Sequence, residues 1–105
     1  MTESEFATTS RELLSQIEGA IDAVDLDIDF ERKGDGILEI EFADRSRIIV
    51  NTQAPRRQIW VAAKSGGFHF EFVDGGWRDT RSGESLIVLL ARVMSEQARV
   101  AVDLR

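Results

Sequence analysis

Cysteine does not occur anywhere in the 105 residues. Its absence excludes disulfides, thiolate metal sites, cluster ligation by the chain itself and a cysteine nucleophile. A reducing compartment is compatible with that composition, and a cytoplasmic protein is expected. Histidine occurs once, as His69. A Ser–His–Asp or Cys–His catalytic group would have to be built on it, and no nucleophile motif accompanies it. A ferritin-type di-iron site needs Glu-x-x-His pairs on helices, and none is present. Enzyme chemistry therefore has little support. No apolar run approaches the roughly 20 residues that span a bilayer. The opening MTESEFATTS is acidic and polar, unlike a basic-then-apolar secretory signal or an Arg-rich transit peptide.

Basic residues are scarce where acids are dense. DAVDLDIDFE, residues 22 to 31, holds five carboxylates and no lysine or arginine. Two like charges about 4 Å apart in water repel by roughly 1 kcal/mol. Residues 1–50 carry 13 acids against 5 bases (−8), and residues 51–105 carry 6 against 8 (+2), which sum to the net −6. The acidic half argues against a nucleic-acid partner and favours cations or a basic protein surface. Hydrophobic content of 43% and charged content of 30% describe a globular chain, read as one domain over 1–105.

Hydrophobic spacing predicts a helix over about 3–24, with Phe6, Leu13, Leu14, Ile17, Ile21 and Val24 on one stripe. From Leu26 the period changes to two: Leu26, Ile28 and Phe30 face one way, Asp27, Asp29 and Glu31 the other. Further strands follow at ILEIEF (37–42), RIIVNTQ (47–53), RQIWVAA (57–63), FHFEFV (68–73) and WRD (77–79). KGDG, ADRS, KSGG and DGG supply the turns, and the single proline, Pro55, marks a bend. A last helix runs through SGESLIVLLARVMSEQA, with Leu86, Leu89, Leu90 and Val93 at core spacing. Consecutive strands on tight turns pair antiparallel, and both helices need an apolar face to cover. The expected fold is an α+β two-layer sandwich, its N- and C-terminal helices packed on one face of an antiparallel sheet of about six strands.

Three sets of residues could carry function. Glu18, Asp22 and Asp25 fall about 100° around the first helix from its apolar stripe, and with Asp27, Asp29 and Glu31 they line one edge. Hard cations, including Fe²⁺ and Fe³⁺, take carboxylate oxygens readily. The same acids also suit a protein-docking patch, or simple solvation that keeps an edge strand from pairing with another chain. In NTQAPRRQIWVAA, alternation places Trp60 on a face with Gln58, Ala62 and Lys64, with Asn51 and Gln53 one strand away. That tryptophan is either a protein-contact anchor or half-covered by long side chains. His69 alternates with Phe68, Phe70 and Phe72 and should point outward, as a surface histidine without function. The glycine pairs 66–67 and 75–76 are turns, since neither opens a helix as a phosphate loop must.

The run NTQAPRRQIWVAAKSGGFHFEF, with DTRSGESL and the acidic first helix, resembles the frataxin family, most closely its bacterial branch. The resemblance covers nearly the whole chain. It implies the same two-helix, antiparallel-sheet sandwich. It further implies iron (Fe²⁺/Fe³⁺), held weakly and exchangeably at Glu18, Asp22, Asp25, Asp27, Asp29 and Glu31, and a role in iron–sulfur cluster assembly as iron sensor or iron chaperone. The implied partners are a cysteine desulfurase, docked through the acids, and the iron–sulfur scaffold protein. Asn51, Gln53, Gln58 and Trp60 belong to the implied contact surface. A monomer is expected, and iron-driven oligomerisation is compatible with the family. The chain has Gly19 and Ala23 where bacterial members more often double the acid, leaving fewer ligands on the helix. Two other functions stay open at this point: an iron-oxidising or storing oligomer, and an acidic adaptor with no iron role.

Overall fold

Thr2 starts the first helix. Its hydroxyl accepts the Glu5 N–H (3.0 Å) and the Glu5 carboxylate accepts the Thr2 N–H (2.7 Å), a reciprocal capping box. The computed structural model describes all of residues 1–105. Helix α1 spans Glu3–Ala23 and buries Phe6, Ser10, Leu13, Leu14, Ile17 and Ile21. Six strands follow, β1 (Ile28–Lys33), β2 (Ile37–Phe42), β3 (Arg47–Gln53), β4 (Gln58–Ala63), β5 (Gly66–Val73) and β6 (Gly76–Asp79), and then helix α2 (Leu86–Ala98). Pro55 sits in one 3₁₀ turn, Ala54–Arg56, between β3 and β4. The sheet order is β1-β2-β3-β4-β5-β6 with every neighbour antiparallel, so β1 and β6 are its edges.

Period-two alternation turns Leu38, Ile40, Phe42, Ile48, Val50, Ile59, Val61, Phe70 and Trp77 toward the helices, where they join the α1 and α2 stripes in one core. Tight turns set the register. Asp74 and Gly75 both have positive φ (50° and 80°), which suits a two-residue hairpin between right-twisted strands. At Gly36 a Cβ would stand 2.4 Å from the Thr52 hydroxyl, and the Gly36 carbonyl accepts both the N–H and the hydroxyl of Thr52. A side chain at Gly36 would push the Thr52 hydroxyl off that carbonyl.

The expected layers and strand order hold, with local corrections. β1 starts at Ile28, two residues later than alternation suggests, because residues 24–27 form a bend after α1. Leu26 is 36% exposed instead of facing the core, and Asp25 and Asp27 lie on that connection. β5 starts two residues earlier, at Gly66. The last seven residues also contribute to the core: Val102 and Leu104 are 7% and 3% exposed. Buried Gln97 ties α2 to the far end of the sheet. Its carbonyl accepts the Lys64 N–H (3.0 Å), and its amide donates to the Ser46 hydroxyl (3.0 Å) and the Arg47 carbonyl (3.3 Å). Both helices thus finish at the end of the sheet where β1 begins.

Candidate functional site: an acidic edge continuous with an aromatic sheet face

The end of α1, the bend and edge strand β1 bring Asp22, Asp25, Asp27, Asp29 and Glu31 to the surface in succession, and all five side chains are exposed. None has a basic group within ion-pair distance. Asp22 and Asp25 also stand at the C-terminal end of a helix with no base in its last turn, where the macrodipole is already negative. Glu18 is different, and its expected place on an open ridge is corrected. Arg32, on the helix-facing side of β1, grips it through two hydrogen bonds, Nε–Oε2 at 3.0 Å and Nη2–Oε1 at 2.9 Å. Such a fork in a half-buried setting fixes α1 against β1.

Register adds two acids that the linear pattern did not group with the ridge. Asp29 pairs across to Glu41 and Glu31 to Glu39, so carboxylates face each other between β1 and β2. Glu39 and Glu41 are relieved by bases on the same face. Lys33 and Arg47 approach Glu39 at 3.0 and 3.2 Å, and Arg47 approaches Glu41 at 3.9 Å. The Lys33 ammonium, hydrogen-bonded to Glu39, holds that carboxyl below the ordinary carboxylate range. Asp29 and Glu31 have no such partner. Nowhere do three or more acidic or histidine side chains converge closely enough to hold a metal ion. The edge is therefore a field of separate oxygen donors, not a closed chelate.

The outer face of the sheet carries the second set. Asn51 pairs with Trp60, Gln53 with Gln58, and Gln58 with Glu71, which brings the four expected contact residues onto one patch. The Trp60 indole N–H donates to the Gln58 carbonyl (2.8 Å), and the Gln58 amide donates to Glu71 (3.0 Å). Trp60 is also stacked on His69, with centroids 4.3 Å apart and planes 10° from parallel. The backbone explains the stack. The Thr80 N–H donates to the His69 carbonyl at 2.9 Å, so His69 turns its backbone polar groups away from β4. Trp60 and His69 then form a non-hydrogen-bonded pair, the kind that holds side chains closest. His69 points outward, as the alternation predicts, and lies in the Trp60 patch. Only the register of the β4–β5 hairpin, closed by Ala63 and Gly66, could have revealed it.

Acidic edge and aromatic patch form one surface. Along the register, Lys33, Ile37, Asn51, Trp60 and His69 make one row across the sheet, and Glu31, Glu39, Ile49 and Ala62 make the adjacent row. A partner lying on the outer face would meet both.

The chain matches the model of the frataxin-like domain over residues 1–100. It is 51% identical, over 93% of its length and 92% of the relative's, to the iron-sulfur cluster assembly protein CyaY of Paraburkholderia xenovorans. To the CyaY of Dechloromonas aromatica it is 48% identical over the whole of both chains. The solved frataxin of Psychromonas ingrahamii superposes with a TM-score of 0.93 at 30% identity, covering 100% of this chain and 99% of the other. The trimeric frataxin of Saccharomyces cerevisiae, complexed with ferrous, shares the fold at a TM-score of 0.67 and 24% identity, over 94% and 88% of the two chains. A frataxin-like model over nearly the full chain, relatives of about half identity and the sheet-and-helix arrangement agree: the protein belongs to the frataxin family.

Proposed function

We propose that this protein is an iron-binding modulator of iron–sulfur cluster assembly that acts by docking on a cysteine desulfurase. One observation carries the reading. Asp22, Asp25, Asp27, Asp29 and Glu31 are left without basic partners, while Glu18, Glu39 and Glu41 nearby each have at least one. The neighbouring acids are neutralised within the fold, and the five at this edge stay available to cations and basic surfaces from outside. The oxygen-only donors suit Fe²⁺ and Fe³⁺, and separate carboxylates without a closed cage hold such ions weakly and exchangeably. The continuous face through Asn51, Gln53, Gln58 and Trp60 is where the iron–sulfur scaffold protein would lie beside the desulfurase. In this reading the protein binds and regulates and has no catalytic turnover of its own. The names of the bacterial relatives support the assembly role.

Binding to the host's purified cysteine desulfurase tests the docking step. Reversal of Asp22, Asp25 and Asp27 to lysine is expected to abolish binding while far-ultraviolet circular dichroism remains that of the folded chain. Affinity unchanged in the folded triple variant would overturn the assignment of the acidic edge.

A further inference from the structure

We infer that edge strand β1 accepts a basic, extended segment of a partner protein by antiparallel strand addition, with backbone pairing at Phe30 and Arg32. The inference rests on the docking reading of the acidic edge and gives it a form, a paired strand rather than a contact between charges alone.

The register shows which backbone groups are free. At the two ends of β2, the Thr52 N–H donates to the Gly36 carbonyl (2.8 Å) and the Phe42 N–H to the Ser46 carbonyl (2.9 Å). Those bonds place the polar groups of Gly36 and Phe42 on the β3 side, and alternation places those of Leu38 and Ile40 there too. Ile37, Glu39 and Glu41 therefore bond toward β1, to Lys33, Glu31 and Asp29. Phe30 and Arg32 alternate with these three, so they direct N–H and C=O off the sheet, where no further strand lies. Ile28 directs its carbonyl the same way, while its N–H donates to the Leu26 carbonyl (2.9 Å). No turn, loop or cap bond takes up the groups of Phe30 and Arg32. The other edge, β6, is closed by the chain itself: the Asp79 N–H donates to the Glu84 carbonyl (2.9 Å), and Arg78 bridges to Ser85.

Side chains select the occupant. A strand bonded at Phe30 and Arg32 meets Asp29 and Glu31 in non-hydrogen-bonded pairs, the kind that brings side chains closest. Both carboxylates are exposed and without a basic partner, and each already faces an acid of β2, Glu41 and Glu39. A second copy of β1 would set acid against acid, so the edge disfavours pairing between copies. Bases opposite Asp29 and Glu31 relieve the row instead. The bases nearby are engaged: Arg32 by Glu18, Lys33 by Glu39, and Arg47 by Glu39 and Glu41. Arg45, on the β2–β3 turn beside Asp27 and Asp29, is the one base there without an ion pair, against five unpaired acids. The uncompensated charge of this edge is therefore negative. Between the two bases, the residue opposite Phe30 turns to the inner face, where Phe30 packs half-buried against the core, and so is apolar. The occupant is an extended segment that reads base, apolar, base.

The test is a titration of the ¹⁵N-labelled full chain with acetyl-Thr-Lys-Val-Lys-Thr-amide at low ionic strength. Saturable amide shifts and slowed hydrogen exchange are expected at Phe30 and Arg32, with no slowing at Asp29 or Glu31, whose N–H groups already bond to β2. Acetyl-Thr-Glu-Val-Glu-Thr-amide should bind at least about tenfold more weakly. Asp29→Asn combined with Glu31→Gln changes only exposed side chains and should weaken the lysine peptide about three- to tenfold. Methylating the valine nitrogen of the peptide keeps its charge and removes the donor to the Phe30 carbonyl. It should weaken binding about five- to tenfold and abolish the slowed exchange at Phe30. A methylated peptide that binds as well as its parent would overturn strand addition and leave the desulfurase reading standing. No saturable shift at Phe30 and Arg32, or equal binding of the glutamate peptide, would also overturn it. So would Phe30 shifts that depend on protein concentration without peptide, the mark of pairing between copies. Unchanged desulfurase affinity after reversal of Asp22, Asp25 and Asp27, with the peptide shifts intact, would reassign the edge to another basic partner and leave strand addition standing.

Discussion

Asp22 lies in the last turn of α1, one residue before its end, exposed and without a basic partner. An anion there meets the negative end of the helix macrodipole, and a cation would meet it favourably; each contribution is about 0.3–1 kcal/mol near the surface. Asp22→Lys removes the first and adds the second, so the folded state should gain about 1 kcal/mol. In a domain of this size that corresponds to a rise in Tm of roughly 4–8 °C. Asp22→Asn removes only the repulsion and should give about half the gain. The origin is checked by salt. Thermal unfolding at low ionic strength should show the full difference, and at about 1 M salt, where the Debye length is about 3 Å, most of it should vanish. A stabilised variant that no longer binds the desulfurase would show that the edge trades stability for contact. Asp22→Lys equal to or less stable than the native chain at low salt would refute the reasoning.

Other substitutions probe what holds the site in place. Arg32→Ala breaks the fork on Glu18 and should cost about 1 kcal/mol, with a double-mutant cycle against Glu18→Gln recovering most of it as coupling; additive effects would show the pair to be idle. Leu104→Ala should cost about 2–4 kcal/mol in urea unfolding, since its side chain is almost wholly buried; a loss under 0.5 kcal/mol would place the tail outside the core. The carboxyls of Glu5, Glu39 and Asp44 are held below their ordinary ranges, by the Thr2 backbone and hydroxyl, by Lys33, and by Ser46 respectively. A lowered folded-state pKa contributes stability above the unfolded value, and that contribution is lost as pH falls through the folded one. Below the ordinary carboxylate range the native chain should therefore lose more stability than Glu39→Gln; identical acid limbs in urea titrations would contradict this.

Much of the fold was legible because both periods are clean. The 3.6-residue stripe of α1 and the alternation in ILEIEF and RIIVNTQ each point one way only, and the turns between them carry glycine or aspartate. The bend at 24–27 was not legible, since Leu26 continues the alternation of Ile28 and Phe30 and only the chain path from α1 keeps it outside. The same limit applies to the tail: Val102 and Leu104 alternate too briefly to declare a burial that depends on α2 lying beneath them. For the acids, clustering in sequence was visible and pairing was not. Arg32 is adjacent to the acidic run, yet whether it faces Glu18 or solvent depends on which side of β1 meets the helix. Facing pairs such as Asp29–Glu41 and Trp60–His69 depend on register, which loop geometry fixes and composition does not.

The most direct measurement is the rate of cluster formation by the host's cysteine desulfurase and scaffold, with and without this protein, across a series of Fe²⁺ concentrations. The expected result is a change in rate that grows with iron and disappears when Asp22, Asp25 and Asp27 are reversed to lysine. A rate unaffected by the protein at every iron level, or affected equally by the reversed variant, would contradict an acidic edge kept unpaired for iron and a basic enzyme surface.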